Sequence, residues 1–281
     1  MPKLSSGILK SVFLVLAVLP VAIGLGFALL YSLGIIGVLS EGFTLSYWEE
    51  VLLGGTFLKS LAYSFYIGIV TITVSLSVAF WLVLYFKESL TRGVTGYLMF
   101  LPLSIPAVVT GFFIFQLLTK SGMLSRVFHY LGWIDTLEQF PELVQDDWGV
   151  GIILAHSLMA IPFFTLLLNS IYHDQHLDQL KEVAQTLGGN QQTFLIKIGV
   201  PLMLRTASPN ILLYLLFVVG AYEVPLLVGS QRIQMVSVLA VRKFQRFNLH
   251  DIPEGYAISV AFTVLLLGCI WGLVKLNKKH V

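Results

Sequence analysis

The sequence predicts an all-α, polytopic membrane protein with six transmembrane helices, from its low charge, its high hydropathy and its six long apolar stretches. Of the 281 residues 57% are apolar and 11% are charged, whereas a soluble chain has about 25% charged residues. The mean hydropathy is +0.86. A single cysteine and a net charge of +2 argue against a disulfide-stabilised scaffold and against a nucleic-acid-binding protein.

Each apolar stretch reaches about 20 residues, the length that a helix needs to cross the hydrocarbon layer. The stretches are 12–36, 60–86, 94–118, 149–172, 208–228 and 256–276. In hydrocarbon every backbone polar group must be paired within its own segment, which favours helices. The gaps leave no room for an independent soluble domain. Residues 1–281 are therefore predicted to form a single transmembrane domain.

The distribution of lysine and arginine predicts that both termini are cytoplasmic. The cytoplasmic segments would then carry Lys3, Lys10, Lys87, Arg92, Lys181, Lys197, Arg205, Lys275, Lys278 and Lys279. The predicted external loops, which include 119–148 and 229–255, carry fewer cations apart from a basic run that ends at Arg246. The apolar stretch after Lys10 is too long for a cleaved signal peptide, so we expect it to be retained.

The cytoplasmic loop 177–201 is predicted to form a helix-turn-helix wedge on the inner membrane face. An apolar stripe at helical spacing indicates a short amphipathic helix over 177–187, and its members are Leu177, Leu180, Val183, Ala184 and Leu187. Gly188 suits the left-handed conformation that often follows a helix, and Asn190 can cap a second helix. Pro201 lies where that helix would bend into the fifth span.

This loop resembles the EAA loop of binding-protein-dependent ABC transporter permeases. The residues with the family's spacing are Glu182, Val183, Ala184, Gly188, Ile198, Val200 and Pro201. The family has alanine where this chain has Val183 and leucine where it has Val200, and both replacements are modest apolar side chains. The resemblance implies the type I ABC importer permease fold, in which this loop is the coupling helix that docks in a groove of a separate ATPase subunit.

Three other segments resemble the same family. Residues 57–77 are similar to the start of its transmembrane core, and LPLSIP at 101–106 is similar to its third-helix signature. The run GAYEVPLLVGS at 220–230 resembles the polyamine, iron and thiamine branch, which implies a substrate such as a polyamine or another small cationic solute. The resemblance also implies a bacterial inner-membrane location.

The resemblance further implies that the partners are two ATPase subunits, a second and related permease, an extracytoplasmic solute-binding protein and membrane lipid, but no nucleic acid. The sequence contains no Gly-rich phosphate loop ending in Gly-Lys-Ser/Thr, so nucleotide energy must come from a partner. We therefore expect ATP and Mg on the ATPase subunits, no cofactor on this chain and no enzymatic activity of its own.

The residues predicted to couple the chain to the ATPase are Glu182, Val183, Ala184, Leu187, Gly188, Phe194, Ile198 and Pro201. Glu182 could pair with a cationic side chain of the partner or remain a solvated surface residue. Leu187, Phe194 and Leu195 could insert into the ATPase groove or pack on the chain's own bundle.

Polar residues in the spans mark the candidate substrate path, because polar groups are costly in hydrocarbon. The candidates are Tyr222, Glu223, Ser104 and Ser157. Small residues and Pro225 around Glu223 predict a local unwinding of the helix; the alternative is an interfacial glutamate. His156 beside Ser157 suggests a proton relay or, more simply, hydrogen bonds between helices. Pro102 and Pro106 predict a kink.

The basic run contains the candidate docking residues for a binding protein, namely Arg242, Lys243 and Arg246. They could meet acidic residues of that protein or anionic lipid headgroups. The acidic loop 135–147 could contribute to the same docking. His173 and His176 lack a third ligand, so no metal site is predicted.

An ion-coupled secondary transporter is the alternative function, although no internal repeat supports it. A membrane-embedded enzyme would need a cluster of reactive side chains, and the sequence contains no such cluster.

Overall fold

The computed structural model describes residues 11–38, 40, 42–90 and 93–277. Of the described residues 78% are helical and none lies in a strand, which confirms the predicted all-α class. Five cations used in the prediction of orientation lie outside the described residues: Lys3, Lys10, Arg92, Lys278 and Lys279.

The helices are numbered here in chain order. They are α1 (Ser11–Ser32), α2 (Ser46–Leu53), α3 (Thr56–Leu90), α4 (Gly93–Phe100), α5 (Ala107–Leu118), α6 (Met123–Tyr130), α7 (Val150–Asp174), α8 (Leu177–Thr186), α9 (Gln191–Val219), α10 (Glu223–Val228), α11 (Val236–Gln245) and α12 (Asp251–Asn277). Short 3₁₀ turns occur at Pro102–Ser104 and Leu137–Gln139, and π-helical turns occur at Leu14–Val18 and Leu195–Gly199.

Six helical segments within the described residues are long and apolar enough to cross a membrane, as predicted. They are Ser11–Ser32, Thr56–Lys87, Ala107–Tyr130, Val150–Asp174, Gln191–Val219 and Asp251–Gly272. Many of their large apolar side chains are exposed, which is expected when the surrounding solvent is lipid rather than water. The chain is a multi-pass membrane protein.

The third span differs from the predicted segment 94–118. Helix α4 ends at Phe100 and α5 begins at Ala107, and between them Ile105 has an extended backbone. Proline lacks an N–H donor and disfavours a helical conformation in the residue before it. The two prolines therefore produce a break rather than the predicted kink, and the candidate span runs from Ala107 through a turn into α6.

The fifth span also differs from its prediction, 208–228. Helix α9 begins at Gln191, because the second helix of the wedge continues through the π-helical turn Leu195–Gly199 into the span. It ends at Val219, and residues 220–222 are not helical. The predicted unwinding before Glu223 is confirmed.

The chain divides into two compact units, 1–61 with 236–281 and 62–235. In the first unit α12 packs on α1, α2 and α11 around a core that includes Phe57, Val236 and Ala257. The second unit contains two apolar clusters. One includes Phe164, Leu168, Leu177, Phe194 and Met203; the other includes Ile67, Ile152, Val218, Val224 and Val228.

Candidate functional site

The wedge forms as the sequence predicts, with α8 and the start of α9 joined by a tight turn. Gly188 has φ +82°, a left-handed conformation that glycine adopts without steric cost. The Asn190 side chain accepts a hydrogen bond from the Thr193 amide at 2.7 Å. This N-cap satisfies a backbone donor that the first helical turn leaves unpaired.

Two buried apolar side chains anchor the wedge to the helical bundle. Leu177 is 0% exposed and Phe194 is 1% exposed, and both belong to the cluster that contains Phe164 and Met203. Ala184 packs against the same cluster. The structure therefore favours the second interpretation of Phe194, because its side chain packs on the chain's own bundle and is not available to a partner.

Other apolar side chains of the wedge are exposed. Leu187 is 82% exposed and Ile196 is 73% exposed, and Val183 and Ile198 are exposed to a smaller extent. Glu182 is also exposed. Of the predicted coupling residues, Phe194 is thus buried. Others are accessible, namely Glu182, Val183, Leu187 and Ile198.

A polar cluster at the start of α8 was not predicted from the sequence. Lys87 of α3 forms an ion pair with Asp178 of α8 and donates a hydrogen bond to the Tyr172 hydroxyl of α7 at 3.1 Å. That hydroxyl donates to Asp178 Oδ1 at 2.8 Å. Burial opposes ionisation of Asp178, but the hydrogen bonds from Lys87 and Tyr172 outweigh it and hold the pKa of this carboxyl below its ordinary value.

The predicted path residues Ser104 and Ser157 lie in different environments. The Ser104 hydroxyl is exposed and donates to the Phe100 carbonyl at 3.1 Å. Ser157 and His156 are buried in α7, and their side-chain polar atoms have no hydrogen-bond partner among the described residues. The hydrogen bonds between helices expected for this pair are therefore not formed in this conformation.

Tyr222 and Glu223 lie at the break between α9 and α10. Glu223 is exposed in the first turn of α10, and Tyr222 is half-buried. Helix α10 packs on α5 and α7 through its buried residues Val224 and Val228. The Gln145 amide donates to the Val228 carbonyl at 2.7 Å. The acidic side chain is thus accessible on a well-anchored segment.

The basic run is largely neutralised within its own unit. Lys243 Nζ lies 2.9 Å from Asp251 and 2.6 Å from Glu254, and its side chain is 17% exposed. Arg246 lies 3.4 Å from Asp251. Burial opposes protonation of Lys243, but the two carboxylates outweigh it and raise the pKa of its ammonium. Lys243 and Arg246 therefore already have carboxylate partners within the chain.

The acidic loop has internal partners as well. Asp147 accepts a hydrogen bond from Ser230 at 2.9 Å and pairs with Arg232 at 3.0 Å, and Glu142 pairs with Lys120 at 2.7 Å. His173 and His176 are exposed. Within the described residues no group of three or more His, Cys, Asp or Glu side chains is arranged to hold a metal ion.

No protein-family model matches the chain. The chain is similar to the "Probable ABC transporter permease protein y4fN" of Sinorhizobium fredii (strain NBRC 101917 / NGR234), with 26% identity over 145 residues. The match covers 50% of this chain and 23% of that protein, so the chain spans about a quarter of the length of the curated relative it matches. This similarity and the six apolar helices support a permease-like membrane protein.

Proposed function

We propose that the chain is the transmembrane subunit of an ATP-driven ABC importer and that it couples to a separate ATPase through the wedge. The observation that carries this proposal is the division of the wedge into buried and exposed apolar residues. Leu177 and Phe194 hold it on the bundle, whereas Leu187 and Ile196 are exposed. The similarity to an ABC transporter permease supports the same function.

The exposed residues give a physical reason for a partner. Burying a leucine side chain stabilises a complex by about 1.5–3 kcal/mol, and Leu187 is almost fully accessible. Glu182 is exposed four residues after Asp178 in the same helix, where it can form a charge-assisted hydrogen bond with a cationic side chain. A groove of an ATPase subunit would bury the Leu187 side chain and supply a cationic partner for Glu182.

The connection to α9 provides the mechanical link. The wedge runs into this helix without a loop, and the continuous segment Gln191–Val219 has 29 residues, or about 44 Å of helix. A displacement of the wedge by ATP-driven closure of two ATPase subunits would therefore move α9 as a rigid body and open the path to the other side. A second permease subunit would complete that path.

The substrate remains a prediction that rests on Glu223. This carboxylate is exposed at a helix break, and a carboxylate beside irregular backbone suits a small cationic solute such as a polyamine. A solute-binding protein would deliver the solute to the subunit on the external side of the bacterial inner membrane.

The test is co-purification of the ATPase with a tagged chain, combined with ATP-dependent uptake in vesicles. Leu187→Asp introduces a charge at the exposed contact, and Gln192→Asp introduces the same charge at an exposed polar position of the wedge. We expect Leu187→Asp to lower ATPase retention at least tenfold, since burying the new carboxylate is costly. Gln192→Asp should retain it.

Two results would overturn the proposal. The first is full ATPase retention and uptake by Leu187→Asp. The second is a wild-type chain that retains no ATPase and transports its solute in proportion to an ion gradient, which would identify an ion-coupled secondary transporter.

A further inference from the structure

We propose that Lys87, Tyr172 and Asp178 form a latch that positions α8 against the ends of α3 and α7, so that force applied to the wedge reaches three helices rather than α9 alone. The positional part of this proposal stands on the contacts themselves. Its role in coupling to ATP hydrolysis rests on the proposed function.

The latch is built from mutually supporting contacts. The Lys87 ammonium pairs with Asp178, donates to the Tyr172 hydroxyl at 3.1 Å and lies 4.5 Å from the centroid of the same ring. The Tyr172 hydroxyl donates a hydrogen bond to Asp178 Oδ1, the oxygen that also pairs with Lys87, at 2.8 Å. Each member therefore contacts the other two.

These contacts differ from an ordinary surface ion pair, which contributes little because both side chains remain free to move. Tyr172 is buried, and Lys87 is largely covered. Asp178 lies in the first turn of α8, where a negative charge is favourable beside the positive end of the helix dipole. The latch thus combines a buried ring with a half-exposed carboxylate whose charge the helix dipole favours.

The backbone beside the latch also restricts α8. Only Gln175 and His176 separate α7 from α8, and His176 has φ +49°, a conformation that is uncommon for a residue with a side chain. Leu177, the next residue, is fully buried. The start of α8 is therefore held by an apolar anchor and by the adjacent carboxylate.

The latch gives α3 a directional connection to the wedge. Helix α3 also shares an apolar cluster with Leu177 and Phe194 through residues such as Val83, but apolar contacts are non-directional. Charge-assisted hydrogen bonds have a defined geometry. The pair joins residues 91 positions apart in the chain, so it fixes the position of α8 relative to a helix that no short loop connects to it.

The first experiment measures position without the ATPase. In the purified full-length chain, hydrogen exchange of the α8 amides is compared for wild type, Asp178→Asn and the control Asp174→Asn. Asp174 is an exposed carboxylate at the end of α7, four residues before Asp178, and it accepts a hydrogen bond from Ser170. We expect Asp178→Asn to accelerate α8 exchange several-fold, because it weakens charge-assisted contacts of a half-exposed carboxylate, and Asp174→Asn to leave it unchanged. Unchanged exchange in Asp178→Asn would overturn the latch.

The second experiment measures coupling in the assembled complex. Lys87→Gln and Asp178→Asn should retain the ATPase and its hydrolytic activity but transport several-fold less solute per ATP hydrolysed, and the exchange of charges in Lys87→Asp/Asp178→Lys should restore part of the ratio. A wild-type ratio in the single variants, or no recovery in the double variant, would overturn the coupling role. If the wild-type chain binds no ATPase, the proposed function fails, whereas the exchange measurement still decides the positional claim.

Discussion

The wedge and the basic run at the end of α11 look alike in the sequence, since each combines apolar and charged residues beside a span. They differ in which side chains remain exposed and which already have partners within the chain. In the wedge, Leu187 and Ile196 are exposed. In the basic run, Lys243 is enclosed by Asp251 and Glu254. The wedge therefore has exposed apolar surface that a partner could cover, whereas the central cation of the basic run is already paired within the chain.

This difference changes the expectation for external docking. Lys243 was predicted to meet acidic residues of a binding protein, but two carboxylates of the same unit already surround its ammonium. A partner would have to displace those carboxylates at a cost. We therefore interpret Lys243 mainly as a residue that stabilises the α11–α12 contact, and the docking role of its neighbours stays a prediction.

The largest effect is expected from Lys243→Gln. This substitution leaves Asp251 and Glu254, whose side chains are 10% and 9% exposed, without the ammonium that pairs with both. Breaking a buried pair by removing one partner costs about 3–5 kcal/mol. Thermal and denaturant unfolding of the detergent-purified chain measures the loss. The control is Arg246→Gln, because that side chain is 60% exposed and should lose less than about 1 kcal/mol. Equal stability of the two variants would contradict the distinction between the regions.

A smaller local cost, with a large functional effect, is expected from Gly188→Pro. Proline requires a φ near −65°, whereas Gly188 has φ +82° and donates to the Gln185 carbonyl, so the turn of the wedge must rearrange at a cost of about 1–3 kcal/mol. Uptake should be lost while membrane insertion, measured by protease accessibility of the loops, is unchanged.

Gly132→Pro is a matched control for that variant. Gly132 has φ +71° and its amide donates to the His129 carbonyl, so proline disturbs it in the same way, but in the segment between α6 and α7. We expect near-normal uptake. Near-normal uptake by Gly188→Pro would count against the wedge as the coupling element, and loss of uptake in both variants would show that the effect is not specific to the wedge.

The features that the sequence predicts correctly are local. The number of spans follows from the apolar runs, α8 follows from the spacing of Leu177, Val183 and Ala184, and the break before Glu223 follows from nearby small residues and proline. The third span was predicted less well, since two prolines indicate a disturbance but not whether the helix bends or ends.

The features that sequence reasoning missed depend on long-range pairing. The partner of Lys87 is 91 residues away, and no periodicity relates the two positions. The carboxylates around Lys243 are close in sequence, at Asp251 and Glu254, but only the packing of α11 on α12 shows that they face it. For the same reason the sequence could not decide whether Phe194 is buried or exposed, because its burial depends on the packing of the wedge against Phe164 and Met203.

The smallest expected effect is a pH dependence of the latch, which distinguishes its ion pair from the apolar anchor at Leu177. The folded state lowers the pKa of Asp178, so the carboxylate stabilises the wedge fully above the unfolded-state pKa, about 3.9, and this contribution is lost as the pH falls through the lower folded-state pKa. Lys87, Tyr172 and His173 are the titratable groups that act on it. Because the side chain is 54% exposed, solvent screening keeps the effect below about 1 kcal/mol.

Hydrogen exchange of α8, corrected for the intrinsic pH dependence of amide exchange, measures this small contribution. In the wild-type chain the corrected rate should rise as the pH is lowered from 5 to 3, an interval set by the reference pKa of about 3.9. In Asp178→Asn the rate should already be high and should not change over that interval, because the amide does not titrate. A parallel rise in both proteins would mean that acid loosens the apolar anchor at Leu177 instead. The ion pair between Lys87 and Asp178 would then contribute less to the position of the wedge than its geometry indicates.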